Sequence, residues 1–289
     1  MRGLFLSLRP RHWVKNLFIF AAPFFSLKLF ELSSLYNVAI GFVYWCMITS
    51  SMYLFNDILD RKEDILHPRK KTRPIASGQI NLKTAGLFFV LLSILSIIFS
   101  LRLDVNFSKL IIAYFMINII YSIYLKQVII LDVMCIASGF VLRVASGALL
   151  VNVGLSEWIL MCTLLLALFL GFGKRQEEIS SLGDNAVYHR RVLKDYDRGF
   201  LEHVPYVMVS STIVCYILYT VSGEAVKKFG TKNLIYTTPF VIYGLLRYVY
   251  IAYEKNKGAD PTQVLFQDLP TVINILLWLI TVGLIIYIR

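Results

Sequence analysis

Apolar residues in this chain gather into long runs separated by short polar connections; they do not alternate along one face of a helix or strand. A helix that is apolar all round lies in a core or in lipid, and about 20 such residues cross a bilayer. The runs fall at 17–30, 38–55, 85–101, 110–125, 128–151, 158–172, 204–221, 234–252 and 269–288. The first and sixth are short and need tilt or flanking residues to span. The pattern predicts an all-α polytopic membrane protein of about nine transmembrane helices, built as a single domain over 1–289.

Composition agrees, with 57% hydrophobic and 16% charged residues, against about 25% charged in soluble domains. The formal charge of +11 raises the question of nucleic acid, but its distribution answers otherwise. With connections assigned alternately to two sides, only Lys28, Arg102, Lys109, Lys227, Lys228, Lys232 and Arg289 fall opposite the N-terminus. Most other cations lie on the N-terminal side, and that side is cytoplasmic by the positive-inside rule. The excess is therefore topological, with the lipid bilayer as partner and no nucleic acid. With nine spans it places the N-terminus inside a cell (inner) membrane and the C-terminus outside. The first run follows a long basic stretch without a small-residue cleavage pattern, so it reads as a retained helix. Cys46, Cys135, Cys162 and Cys215 stand singly in apolar runs, as packing residues do. The four histidines show no zinc spacing.

Two long connections interrupt the pattern, at about 57–83 and 173–203, both on the cytoplasmic side. Each follows a helix end rich in ionisable groups, so these loops are expected to cap a functional mouth. At the first, Asn56, Asp60 and Asp64 stand at i, i+4 and i+8, on one helical face. Carboxylates so placed repel one another unless a cation lies among them. Oxygen ligands of this kind suit Mg²⁺, and Mg²⁺ usually accompanies a diphosphate. The spacing alone leaves open a solvated, charged helix end. Arg69, Lys70, Lys71 and Arg73 follow, with Arg73 fixed by Pro74. They stand where they can meet an anion on the acidic helix, or anchor to lipid headgroups.

The run Asn56-Asp57-x-x-Asp60-x-x-x-Asp64, followed by Arg73-Pro74-Ile75-Ala76-Ser77-Gly78, resembles the first signature of the UbiA superfamily of intramembrane prenyltransferases. Further motifs are similar to its decaprenyl-phosphate phosphoribosyltransferase branch. They are Leu8-Arg9-Pro10-Arg11-His12-Trp13-Val14-Lys15-Asn16, Tyr121-Ser122-x-x-Leu125-Lys126, Gly139-Phe140-Val141-Leu142-Arg143, Gly173-Lys174-Arg175-x-x-Glu178 and Asp260-Pro261-Thr262. The resemblance covers essentially the whole chain. It implies nine helices around a central cavity, Mg²⁺ on Asn56, Asp60 and Asp64, and transfer of phosphoribose from phosphoribosyl pyrophosphate to a polyprenyl phosphate. The superfamily's second acidic motif, Asp-x-x-x-Asp after the sixth helix, is missing: Asp184 is followed four residues on by Tyr188, and Asp195 by Gly199. Lys174, Arg175, Glu178 and His189-Arg190-Arg191 stand there instead, a set suited to further anionic oxygens.

In the implied reaction the acceptor is already an anion, so no strong general base is needed. Catalysis rests on positioning two phosphorylated substrates and screening their repulsion. That assigns Asp60, Asp64, Lys126 and Arg143 to catalysis. Lys15, Tyr53, Arg73, Lys126, Arg143, Lys174, Arg175, Glu178 and Arg191 are assigned to substrate binding. Lys15 and Lys126 stand at membrane entries, where cations also snorkel. Arg143 lies inside an apolar run, where a lipid-facing charge is costly, so it lines the cavity or pairs with another helix. Tyr53 faces the ribose or packs. The Lys174–Glu178 spacing equally suits a surface ion pair. Arg247 has no assigned role. Two other functions fit the spans: prenyl transfer from a diphosphate to an aromatic acceptor, and a non-catalytic lipid transporter or scaffold. The oligomeric state stays open.

Overall fold

A computed structural model describes residues 2–68, 70–182, 191–253 and 267–288. Among them there is no strand, and eight helices are long and apolar enough to cross a membrane. We label these α1 (Leu32–Leu59), α2 (Leu82–Leu103), α3 (Val105–Ile123), α4 (Leu131–Leu150), α5 (Glu157–Leu182), α6 (Arg198–Val221), α7 (Thr238–Tyr253, after the 3-10 turn Asn233–Thr237) and α8 (Leu269–Tyr287). Polar residues set several starts by accepting an otherwise orphaned backbone N–H. Asn81 accepts from Thr84, Asp104 from Phe107, Asp197 from Phe200 and Asp268 from Thr271. Asp104 both ends α2 and caps α3, so one residue makes the whole turn.

The first expected span, 17–30, takes another form. Pro10–Phe20 is an 11-residue 3-10 helix, Ala21–Phe25 is a short α-helix, and the chain then turns into α1. A 3-10 run of that length is unusual; packing accounts for its place. The Ile19 carbonyl lies so close to Gly147 of α4 that an added Cβ there would sit 1.8 Å from the oxygen. The form also lengthens the segment. With about 2.0 Å rise per 3-10 residue and 1.5 Å per α residue, the two pieces end to end reach about 30 Å, the thickness of the hydrocarbon core.

Contacts gather into two compact units, which divide at residue 155; the first also takes the described residues 191–195, and the second resumes at 196. In the first, α1 packs on α2, α3, α4 and the 3-10 segment. Its core holds Trp45, Ile48, Met52, Phe107, Ile111 and Tyr114. Small hydroxyls let the helices approach closely. Ser96 donates to the Tyr44 carbonyl at 3.0 Å, and Ser100 to Ser108 at 2.9 Å.

In the second unit, α5 packs on α6, and α7 on α8. Phe169 meets Tyr248 edge to face, and the buried Tyr216 hydroxyl joins Thr237 and Trp278. Arg247, unassigned from sequence, donates twice to the Asp268 carboxylate, at 2.6 and 2.8 Å. These two hydrogen bonds fasten α7 to the cap of α8 and hold the Asp268 carboxyl well below the usual carboxylate range. The expected second loop, 173–203, is helical at both ends, because α5 continues to Leu182 and α6 starts at Arg198. Lys174, Arg175 and Glu178 therefore sit on a helix.

Candidate functional site

The acidic residues at the end of α1 are arranged by the way that helix stops. α1 ends at Leu59, Asp60 is a single non-helical residue, and a second short helix runs Arg61–Leu66. Backbone bonds from Asp60 to Asn56 and from Asp64 to Asp60, each 2.8 Å, carry the helical path across the break. Asn56, Asp60 and Asp64 thus project from one nearly continuous turn-to-turn path, as the i, i+4 spacing requires, and Asp57 stands beside it, one residue further round the helix.

The structure gives each of them a partner. Asn56 Oδ1 accepts from Ser122 of α3 at 2.5 Å. Lys126, in the turn after α3, donates to Asp60 Oδ1 at 2.6 Å. Arg73 donates to Asp64 Oδ2 at 2.6 Å and to Asp57 Oδ1 at 3.0 Å. Arg9 donates to the same Asp57 oxygen at 2.5 Å and lies over the Tyr53 ring, 4.8 Å from its centroid. His12 lies against the other part of this aromatic contact, 5.5 Å from Tyr53. Three carboxylates and three protein cations interleave, so the cluster is formally neutral.

Exposure divides the carboxylates. The Asp57 and Asp64 side chains are 2% and 3% exposed, and Asp60 is 37% exposed. Burial raises the Asp64 carboxyl above its ordinary value, opposed by the adjacent Arg73. Buried carboxylates of this kind depend on their partners, and removing one partner typically costs about 3–5 kcal/mol. Asp64 was expected on a common ligand face with Asp60; here it is held by Arg73. Among the described residues no group of three or more His, Cys, Asp or Glu side chains can hold a metal ion.

The donor set nevertheless fits one kind of metal site. Mg²⁺ is usually bound through one or two carboxylates plus substrate phosphates and water, not by an all-protein cage. Asp60 is the accessible carboxylate and engages Lys126 through Oδ1 only, with the Asn56 amide oxygen one turn before it. These residues fit a cation that arrives with a diphosphate.

Arg143, expected to line the cavity or to pair with another helix, lies deep beside α1. Its partner Trp45 stands 11 residues before Asn56 on α1, about 16 Å deeper along the helix. Its three nitrogens meet Asn16 Oδ1 at 2.8 Å, the Gly139 carbonyl at 2.6 Å and the Tyr114 hydroxyl at 3.4 Å. The rings of Trp45, Tyr114 and Phe140 surround it. This is the helix-to-helix pairing, here with neutral acceptors and aromatic faces. Asn16, fully buried, also donates to Thr49 and Cys46 of α1. It ties the 3-10 segment, α1 and α4 together.

Lys15 is half-buried on the 3-10 segment. In the second unit the buried Arg175 donates to Glu178 at 2.8 Å, the i,i+3 pair that the spacing allows, with Lys174 beside it on α5. The side chain of Arg191, and Arg69, His189, Arg190 and Asp260-Pro261-Thr262, lie outside the described residues. Sequence reasoning did not assign Arg9, Asp57, Ser122 or Asn16 to the site. Each stands inside a motif already singled out, but only the packing shows what it touches.

Fold and cluster together define an all-α membrane protein with an acidic helix end threaded by cations. The chain belongs to the UbiA prenyltransferase family, which it matches over residues 17–269. It is 29% identical to a decaprenyl-phosphate phosphoribosyltransferase of Mycolicibacterium smegmatis, over 99% of this chain and 92% of that one. It is 30% identical to one of Corynebacterium glutamicum, over 99% and 87%. Among solved structures it resembles a UbiA homologue from Archaeoglobus fulgidus bound to DMAPP and Mg²⁺, with a TM-score of 0.75 and 18% identity. That match covers 99% of this chain and all of the other.

Proposed function

We propose that this protein transfers 5-phosphoribose from phosphoribosyl pyrophosphate to a polyprenyl phosphate of the decaprenyl type, releasing pyrophosphate in a Mg²⁺-dependent reaction. The observation that carries the reading is the near full-length similarity to enzymes of that name. The cation-threaded site supports it, because two phosphorylated substrates bring more negative charge than one prenyl diphosphate does.

The chemistry asked of the protein is modest. An oxygen of the lipid phosphate forms the new bond to the anomeric carbon as the bond to pyrophosphate breaks. The electron pair of that bond leaves with the pyrophosphate. No proton needs to be removed from the nucleophile. Asn56 and Asp60 would hold Mg²⁺, with Asp64 behind them; when bound, the ion neutralises charge on the leaving diphosphate. Lys126, beside Asp60, and Arg73 would bind phosphate oxygens, Lys15 would screen the membrane entry, and Tyr53 would face the ribose. Lys174, Arg175, Glu178 and Arg191 would serve the remaining phosphate. Arg143 acts through Asn16 on the placement of the 3-10 segment.

The reading is of a multi-pass protein of the cell (inner) membrane, and the charge asymmetry supports a cytoplasmic N-terminus and site mouth. Counting Pro10–Phe25 as a crossing puts the C-terminus opposite.

The test is conversion of labelled phosphoribosyl pyrophosphate and a polyprenyl phosphate to an organic-extractable product, with and without Mg²⁺. A second reading, prenyl transfer to an aromatic acceptor, draws on solved relatives bound to DMAPP or GPP with Mg²⁺. Turnover of a prenyl diphosphate with an aromatic acceptor, and none with phosphoribosyl pyrophosphate, would favour it. Flux that survives Asp60→Ala without any transfer would point to a transporter.

A further inference from the structure

The N-terminal segment is tied to α1 along its length. Asn16 bonds Thr49 and Cys46. Trp13 Nε1 donates to Ser50 Oγ at 3.0 Å, and that hydroxyl donates to the Leu8 carbonyl, also at 3.0 Å. Last in the series, Arg9 reaches Asp57. The segment therefore delivers one guanidinium to the acidic helix end and fixes it there.

The backbone of Arg9 is left-handed, at φ 51 and ψ 59. It forms the turn between the helix Arg2–Ser7 and the 3-10 helix that begins at Pro10. Glycine or asparagine takes this conformation with little strain, and arginine does not. A strained, long, charged residue at a turn signals that the side chain has a use, since the backbone alone would be better served by glycine.

Its surroundings say what the use is. Arg9 and Arg73 bond the same oxygen of Asp57. That carboxylate is 2% exposed, whereas the two arginine side chains are 21% and 26% exposed. The acid stands behind and the two guanidiniums stand in front, so an approaching anion meets the cations first. A guanidinium has five N–H donors in a planar fork that suits phosphate, and Arg9 has room for further bonds.

We infer that Arg9 is a substrate-binding residue, which with Arg73 clamps the diphosphate of the phosphoribosyl donor. The inference rests on the phosphoribosyl transfer reading and adds a residue to it. In the resting state Asp57 holds both arginines in place. As diphosphate binds, their free donors take its oxygens, and the bonds to Asp57 keep the forks aligned.

The test measures binding of phosphoribosyl pyrophosphate with Mg²⁺ by calorimetry, on the full chain in lipid nanodiscs. It compares wild type with R9A, R9K and R9G, and follows thermal unfolding of each. R9G and R9A should weaken donor binding at least tenfold, with R9K between them and wild type. R9G removes the backbone strain, so it should unfold no earlier than R9A while binding as poorly. A role in the turn alone predicts the opposite, namely that R9G binds like wild type, and this outcome overturns the inference. R9K answers the same question should R9A fail to fold: wild-type affinity in R9K overturns the guanidinium clamp. Wild type that binds no phosphoribosyl pyrophosphate overturns the underlying reading. Wild-type binding with every variant unchanged overturns Arg9 alone.

Discussion

Replacing Gly147 by alanine tests the packing that holds the 3-10 segment in place. The added Cβ would lie 1.8 Å from the Ile19 carbonyl oxygen, where ordinary contact begins at 3.4 Å, so the two backbones must part by about 1.6 Å. The obstacle is backbone, so no rotamer change relieves it. Overpacking of this kind costs about 1–3 kcal/mol, and more where main chain must move. Asn16 precedes Ile19 by one 3-10 turn and shares its face. The shift therefore also loosens the 2.8 Å bond from Arg143, a charge-assisted bond worth about 1.5–3 kcal/mol. Alanine's better helix propensity returns at most about 1 kcal/mol. The net expectation is a loss of about 2–5 kcal/mol.

Gly86 supplies the control, because it lies in α2 with nothing within 4 Å of its added Cβ. G86A should be neutral or slightly stabilising, by about 1 kcal/mol or less. Equilibrium unfolding of both variants in the same micelles reads the difference. A G147A stability within about 0.5 kcal/mol of G86A would refute the close approach and with it the packing that holds the 3-10 segment in place.

Three further outcomes follow from the geometry. Asp60→Asn removes the accessible carboxylate and should lower transfer by at least about 100-fold without unfolding the protein, and chelation by EDTA should do the same to wild type; full activity in either case rejects the metal assignment. Asp268 has a carboxyl depressed by Arg247, so its contribution is complete above the ordinary carboxylate value of about 4 and is lost as pH falls through the depressed one. Asp268→Asn should therefore lower stability evenly from about pH 5 to 8 and flatten the acid limb; an unchanged acid limb would count against the pair. Cys162 and Cys215 face each other on α5 and α6 with sulfurs 3.4 Å apart, close enough for copper–phenanthroline to join them. Mass spectrometry should find that cross-linked peptide pair, and complete alkylation of both thiols after oxidation would contradict the helix pairing.

The sequence pattern located the helices because a bilayer leaves the backbone few options. Eight of the nine apolar runs correspond to long helices, mostly shifted by a few residues at the ends. At helix starts the shifts come from polar caps such as Asn81 and Asp104, which begin a helix ahead of its apolar run. The sixth run lengthened most, to Leu182, because Lys174 to Glu178 continue the helical spacing in polar residues, which a hydropathy reading ends too early. The first run failed as an α-helix for a reason no local pattern contains. The 3-10 segment that replaces it packs against Gly147, more than 120 residues away in the chain.

The candidate site was legible as an inventory and not as a set of contacts. Spacing put Asn56, Asp60 and Asp64 on one path, and they are there, but spacing could not show that Arg73 had already taken Asp64. Hydropathy marked Arg143 as a costly intramembrane charge that must face something polar. What it faces is Asn16 and three rings, an arrangement that compensates a cation without any acid and so leaves no trace in the pattern of charges. Asp57 stands off the Asn56–Asp60 face, yet it is the acid on which two arginines converge. The interleaving has a consequence for how the site would load. With every carboxylate of the cluster already paired to a protein cation, a free divalent ion finds little unneutralised charge, whereas an anion that engages Arg9, Arg73 and Lys126 leaves the carboxylates to attract one. Metal and diphosphate should therefore strengthen each other's binding, and by linkage to the same degree in either order.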